Sequence, residues 1–222
     1  MGYLTKYGTQ WGDVPQTFGR VFWVAPSASY TVEGRSYSAS DNNDGLSPER
    51  AMLTIQQAIN LCTANAGDVI MLLPGTFTSA STITIATAGI TFVGIYPSQR
   101  TSPDVRPYSV ATKTNWTSTF AGNAITLTAA DTTFIGINFI PLTARAVLNG
   151  TTCPRTQVLD CSVTMSAAAS TSTKGFVFSG GSSSFCNFQN CYFLDSVATS
   201  AQGPCMDLTA LDNFVVENCT IV

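Results

Sequence analysis

The chain has no histidine, so any chemistry it performs must come from carboxylates, a few cations or thiols. The carboxylates that could act together are Asp195, Asp207, Asp212 and Glu217 near the C-terminal end, with Asp160 one repeat earlier. A glycosidase needs two carboxyl groups about 5 to 9.5 Å apart. A polysaccharide lyase needs a base matched by a cation that stabilises the developing enolate. Neither Asp207 nor Glu217 has Arg or Lys near it in sequence. Asp160 takes a position that other repeats fill with Gly or Asn, and Asp212 precedes Asn213 in a turn, so both have structural reasons for their identity. No catalytic residue is assigned.

Thiols are the second candidate chemistry. Cys62, Cys153, Cys161, Cys186, Cys191, Cys205 and Cys219 form no C-x-x-C pair, and their odd number fits a chain made in a reducing cytoplasm. Cys161, Cys191 and Cys219 recur at equivalent places, which suits either a thiolate metal site or an inward ladder of small apolar residues. The ladder accounts for them without a metal and is adopted, so no metal or cofactor is expected. Asp41 to Gly45 hints at a calcium loop, but aligning Gly45 to the sixth place puts Ser40 first and Ala51 twelfth, where Asp and Glu belong.

The elements that would hold these residues are legible. Asp41-Asn42-Asn43-Asp44-Gly45 reads as a tight turn. Thr54 and Gln57 form a T-x-x-Q capping box, and Ile55, Ala58, Ile59 and Cys62 fall on one helical face, with the helix stopping near Asn65 to Gly67. Asp68 to Gly75 is an apolar run bounded by turn residues, which suits a strand buried on both sides or at the start of a stack. Downstream, one unit recurs around Gly94, Gly136, Asp160, Asn190 and Asn218. Those residue types enter left-handed backbone at least cost, so each repeat is expected to bend at the same point. The last four are spaced 24, 30 and 28 residues apart, which suits one coil per repeat. The longer gap after Gly94 is assigned to a loop over Tyr96 to Trp116, which holds three prolines. Second strands are expected at Ser81 to Ile85, Ala124 to Thr128, Phe176 to Phe178 and Met206 to Thr209. Stacking predicts Ile95, Ile137, Cys161, Cys191 and Cys219 in one inward column.

The order D-x-N-D-G-x-S-P, T-I-x-x-A-I and G-D-x-I-x-x-x-P-G-x-F, at Asp41 to Pro48, Thr54 to Ile59 and Gly67 to Phe77, resembles the opening of right-handed parallel β-helix proteins of the pectate-lyase-like group. The resemblance implies an all-β, right-handed parallel β-helix with a short N-terminal helix over its mouth. It leaves function open, since that group includes polysaccharide lyases, hydrolases and phage tailspikes.

Charged residues make up 10% of the chain and its net charge is −3, with no basic stripe for nucleic acid or an anionic membrane. No apolar run reaches the roughly 20 residues that span a bilayer, and the first residues do not read as a secretory signal. Residues 1–25 are read as an aromatic arm ahead of a β-helix over 26–222. In this arm Tyr3, Tyr7, Trp11 and Phe18 are interleaved with glycine. They either lie over the N-terminal end of the β-helix or dock on another polypeptide. The chain stops inside a repeat, so its last rung is expected to be covered by more chain or by another subunit. These features point to a phage virion protein, a capsid decoration protein, head fibre or tailspike component assembled in the host cytoplasm. Its expected partners are copies of itself, with a trimer favoured, and a capsid or tail protein met by Tyr3, Tyr7, Trp11 and Phe18. A host-surface glycan is a further candidate partner. The alternative is a polysaccharide lyase or glycoside hydrolase on the same scaffold.

Overall fold

A computed structural model describes residues 19–32, 34–95, 114–120, 122–141, 146–165, 174–178, 183–195, 206–208 and 211–221. It is a parallel β-helix of three sheets. The first holds Val21–Val24, Val69–Leu72, Thr91–Gly94, Thr133–Ile135, Gln157–Leu159, Asn187–Gln189 and Val215–Glu217, in that spatial order. The second runs through Gly75–Ser79, Thr114–Ser118, Asn138–Pro141, Ser162–Met165, Tyr192–Asp195 and Thr220–Ile221, and the third through Ile83–Ile85, Ile125–Leu127, Ala146–Gly150, Lys174–Phe178 and Met206–Asp207. Neighbouring strands within all three sheets pair in parallel, one coil above the next.

The coil turns because of left-handed residues. Between the first and second sheets stand Gly136, Asp160, Asn190 and Asn218, with φ of 68°, 52°, 53° and 52°. Each of the first three donates its N–H to the next rung, to Leu159 O, Gln189 O and Glu217 O respectively. A second column of left-handed corners enters the first sheet at Asn65, Gly89, Asp131, Arg155, Phe185 and Asn213. Its first five N–H groups likewise donate to Ala88 O, Ala130 O, Pro154 O, Ser184 O and Asp212 O. Turn backbone is thereby satisfied from rung to rung.

Inside the coil, register puts like on like. Phe22, Ile70, Phe92, Phe134, Val158 and Phe188 form one buried column of the first sheet, with the Phe92 and Phe134 rings stacked at 5.1 Å. Phe77, Trp116, Phe139, Val163 and Phe193 form the matching column of the second. Gly150 lies between Leu127 and Phe178 in the third, where a Cβ would come within 2.6 Å of the Phe178 ring.

A second core lies outside. The antiparallel hairpin Ser29–Val32 and Arg35–Ser38 packs Tyr30 and Val32 against the outward residues Trp23, Val69, Met71 and Val93. Val69–Leu72 is therefore buried on both faces, one of the two readings its unbroken apolar run allowed.

The N-terminal end is closed by the helix Ile55–Leu61, which packs Ile55, Ala58 and Ile59 into the inner core. Thr54 caps it by accepting the Gln57 N–H, but the reciprocal half of the expected box is supplied by Asp41. That carboxylate accepts from Leu53 N, Thr54 N and Thr54 Oγ1 at 3.1, 2.8 and 2.9 Å. Gln56 then pairs with the edge strand of the third sheet as a backbone would, accepting Thr84 N–H at 3.0 Å and donating to Thr84 O at 3.2 Å. The first sheet's edge is covered by the 41–52 loop, which bonds both faces of Trp23: Trp23 N to Gly45 O and Met52 N to Trp23 O. The edges of the first and third sheets are thus bonded at this end.

Three expectations change. Each coil has three strands where two were read. Trp116 is not in a loop but is a buried residue of Thr114–Ser118, so that the insertion ends by residue 113. Ile95 leaves the inward column and packs against the outer core, while Thr114 takes its place one rung before Ile137. The insertion separates the corner from its next strand, and Thr114 closes the gap by donating its hydroxyl to Leu72 O or Ile95 O. Ile137, Cys161 and Cys191 are inward and buried, and Cys219 packs partly against the same core.

Candidate functional site

The carboxylates raised by the sequence do not converge. Asp207 sits on the third sheet opposite Val177, and Asp195 on the second opposite Met165. Asp212 pairs in register with Ser184 ahead of the second corner column. Glu217 points outward from the last first-sheet strand, where Gln189 Nε2 donates to its Oε2 at 3.0 Å. Asp160 lies on a corner two rungs from Glu217, roughly 10 Å at the usual strand spacing. A glycosidase or lyase site needs an acid and a base facing one bond, and these residues are spread over three faces.

Other carboxylates are held by the fold itself. Asp68, buried, accepts from Arg20 N and Thr63 N at 2.6 and 2.7 Å and meets the Arg20 guanidinium at 3.4 Å, which fixes the start of the first rung. Asp44 caps its own turn by accepting Leu46 N and pairs with Arg50 at 3.1 Å. Asp131 receives two bonds from Arg155, from Nε and Nη2, each 2.6 Å. Those bonds hold the Asp131 carboxyl below the usual carboxylate range and raise Arg155 in turn. A carboxylate held ionised in this way is a poor general acid.

The thiols are equally committed. Cys161, Cys191 and Cys219 stack as expected, and each sulfur faces backbone carbonyls, those of Phe134 and Leu159, Val158 and Gln189, and Phe188 and Glu217. Burial pushes the Cys161 thiol up to about 12 and the Cys191 thiol further in the same direction. Cys186 is raised by burial too, and Cys62 is pushed up to about 12 by burial and by Asp68. Burial thus favours the protonated form of Cys161 and Cys191, as suits an inward ladder of small apolar residues. Cys205 lies outside the described residues, as do Tyr3, Tyr7, Trp11 and Phe18.

The surface that remains is the outer wall of the first sheet beyond the hairpin. Its outward residues change from Trp23, Met71 and Val93 under the hairpin to Thr133, Ile135, Gln157, Leu159, Asn187, Gln189, Val215 and Glu217. This wall mixes amide and aliphatic side chains, with Glu217 its one charge among the described residues. Along its margin run the second corners Asp131, Arg155, Phe185 and Asn213, of which Phe185 is 65% exposed. Residue type did not reveal this column, because Arg and Phe are unusual in left-handed backbone. Spacing could have: positions 131, 155, 185 and 213 are separated by 24, 30 and 28 residues, as are 136, 160, 190 and 218.

No known family profile matches the chain, and no curated protein matches it. Among solved structures, the crystal structure of pectate lyase Pel9A is similar, with 13% identity and a TM-score of 0.40 over 85% of this chain. The chain spans 58% of that structure's length.

Proposed function

We propose that this chain is a structural component of a phage virion, a capsid decoration protein, head fibre or tailspike part, held through its N-terminal side and assembled with copies of itself. The observation that carries the proposal is how Gly19 and Arg20 are tied to the helix end of the stack. Gly19 lies against Gly67, so close that a Cβ would fall 2.4 Å from the Gly67 carbonyl carbon, and the next residue, Arg20, is bound to Asp68. Residues 1–18, with Tyr3, Tyr7, Trp11 and Phe18, are therefore joined to the end of the stack that carries the helix. Aromatics are enriched where proteins meet, so this end is the natural anchor. Two further features support the reading. The outer wall is low in charge, and Asp41, Asp44, Asp68 and Asp131 have structural duties where an enzyme would need converging acids. Locating the tagged chain on purified particles by electron microscopy tests the proposal. Density on head or tail with the helix end inward is expected, and a chain absent from particles defeats it.

A further inference from the structure

Gly150 is fixed by packing. It ends the strand Ala146–Gly150, between Leu127 and Phe178 of the adjoining rungs, and a Cβ there would fall 2.5 Å from Cys153 Sγ and 2.6 Å from the Phe178 ring. Cys153 and Phe178 are both fully buried, so neither can give way without repacking the core. The residue before it, Asn149, is half-buried and faces outward, in register with Thr126 and Val177. The core thus obliges an asparagine of the outer face to precede a glycine. That order has a chemical consequence, because a following residue without a Cβ leaves its amide nitrogen open to attack on the asparagine side chain. Every other asparagine of the chain is followed by a residue that carries a Cβ.

We propose that Asn149–Gly150 is a deamidation site that the native fold holds closed, and that its reaction makes opening of this rung irreversible. In the reaction the Gly150 nitrogen gives its proton to solvent and bonds to Asn149 Cγ, and the bond from Cγ to the side-chain nitrogen breaks to release ammonia. Water then opens the succinimide at either carbonyl, leaving aspartate, or isoaspartate whose main chain runs through Cγ and is longer by one carbon. Water is the only co-reactant. The native strand blocks the first step. Extended backbone points the following nitrogen away from the side chain of its predecessor, and pairing with Ile125–Leu127 on one side and Lys174–Phe178 on the other fixes that backbone. Ring closure must therefore wait until the strand leaves the sheet. Isoaspartate cannot return to it. With an extra atom between them, Leu148 and Gly150 no longer meet Phe176 and Phe178 in register, and the inward alternation is lost. Aspartate at the same place keeps the register and faces outward. The inference is independent of the virion reading.

Ageing the full chain in mildly alkaline buffer, with and without denaturing urea, tests it. Peptide mass spectrometry that separates aspartate from isoaspartate follows Asn149, and circular dichroism after removal of urea gives the refolded fraction. Loss of the Asn149 amide should be roughly tenfold or more slower in the native chain than in the unfolded one. The refolded fraction of urea-aged chain should fall in step with its isoaspartate at position 149. Asn149→Thr lacks the amide, matches Thr126 in the same column and suits a strand, so N149T aged in the same way should refold fully. Fresh N149D should refold like the parent, which assigns the loss to the lengthened backbone instead of to charge. Equal rates in native and unfolded chain overturn the inference, a comparison that needs no variant. So do isoaspartyl chains that refold fully, or a loss of refolding on ageing that N149T shares.

Discussion

At Asn190 the backbone is left-handed and the N–H reaches Glu217 of the next rung, so this single residue both bends the coil and links two rungs. Asn190→Val should cost roughly 1–2 kcal/mol in chemical denaturation, because a branched Cβ crowds the carbonyl in that conformation. Asn190→Gly should stay within about 1 kcal/mol of the parent. Equal losses for the two would show that backbone conformation is not what the site selects. The buried thiols give a prediction in pH. Cys161 is pushed up to about 12 in the folded chain, against an ordinary thiol value of about 8.5, so the fold favours the protonated form. Its contribution to stability is full below the ordinary value and is lost as pH rises toward the folded value. Native Cys161 should therefore resist alkylation at neutral pH and react only on unfolding, as mass spectrometry of labelled peptides would show. Asp131 behaves oppositely. Its lowered value gives stability above the ordinary carboxylate range that is lost as pH falls through the folded value, and Asp131→Asn should remove this acid-side dependence from a stability titration. The first corner column was legible in sequence because Gly, Asp and Asn advertise left-handed backbone. The second was hidden by Arg155 and Phe185, whose types carry no such signal.

The helix Ile55–Leu61 shows why an element's environment matters more than its own sequence. Seven residues are too few for a stable isolated helix, so its persistence depends on the inner core beneath and on the capping at its start. The T-x-x-Q pattern located that start correctly but could not reveal that Asp41, thirteen residues upstream, holds Thr54. Asp41→Ala removes the acceptor of two backbone N–H groups and a hydroxyl, and should lower stability by about 1–2 kcal/mol, measured by thermal or denaturant unfolding. A loss no larger than that of a neighbouring exposed residue would mean that water replaces the carboxylate without penalty. The strands Ile83–Ile85 and Ile125–Leu127 were readable from alternation, since one face is inward and the other outward. Thr114–Ser118 was not, because all five residues are buried and the preceding insertion breaks the spacing that marks the other rungs. Ile95 was misplaced for the same reason: its corner is no longer followed at once by the next strand. The candidate acids were visible as residues but not as an arrangement, since only register shows that Asp195, Asp207 and Glu217 occupy different sheets.

For the whole molecule, the consequential feature is how the helix end of the stack is closed. The helix, the 41–52 loop and the side chain of Gln56 close one end by satisfying strand edges with hydrogen bonds. The first-sheet and third-sheet edges at the helix end are bonded by residues 41–56, which belong to the described fold. Folding and anchoring should then be separable. Deleting residues 1–18 leaves Arg20 bound to Asp68 and Val21–Val24 paired with Val69–Leu72, so the truncated chain is expected to retain its β-sheet circular dichroism and cooperative melting. Anchoring is where the loss should appear. If Tyr3, Tyr7, Trp11 and Phe18 fill sites on a capsid or tail protein, their removal eliminates the buried aromatic anchors that commonly dominate an interface. Particles made with the truncated chain should lack it, while particles made in parallel with the full chain should contain it. Quantifying both chains in purified particles separates the outcomes. A folded truncated chain that still enters particles refutes anchoring through this arm, and a truncated chain that fails to fold shows that the aromatics belong to the end of the stack itself.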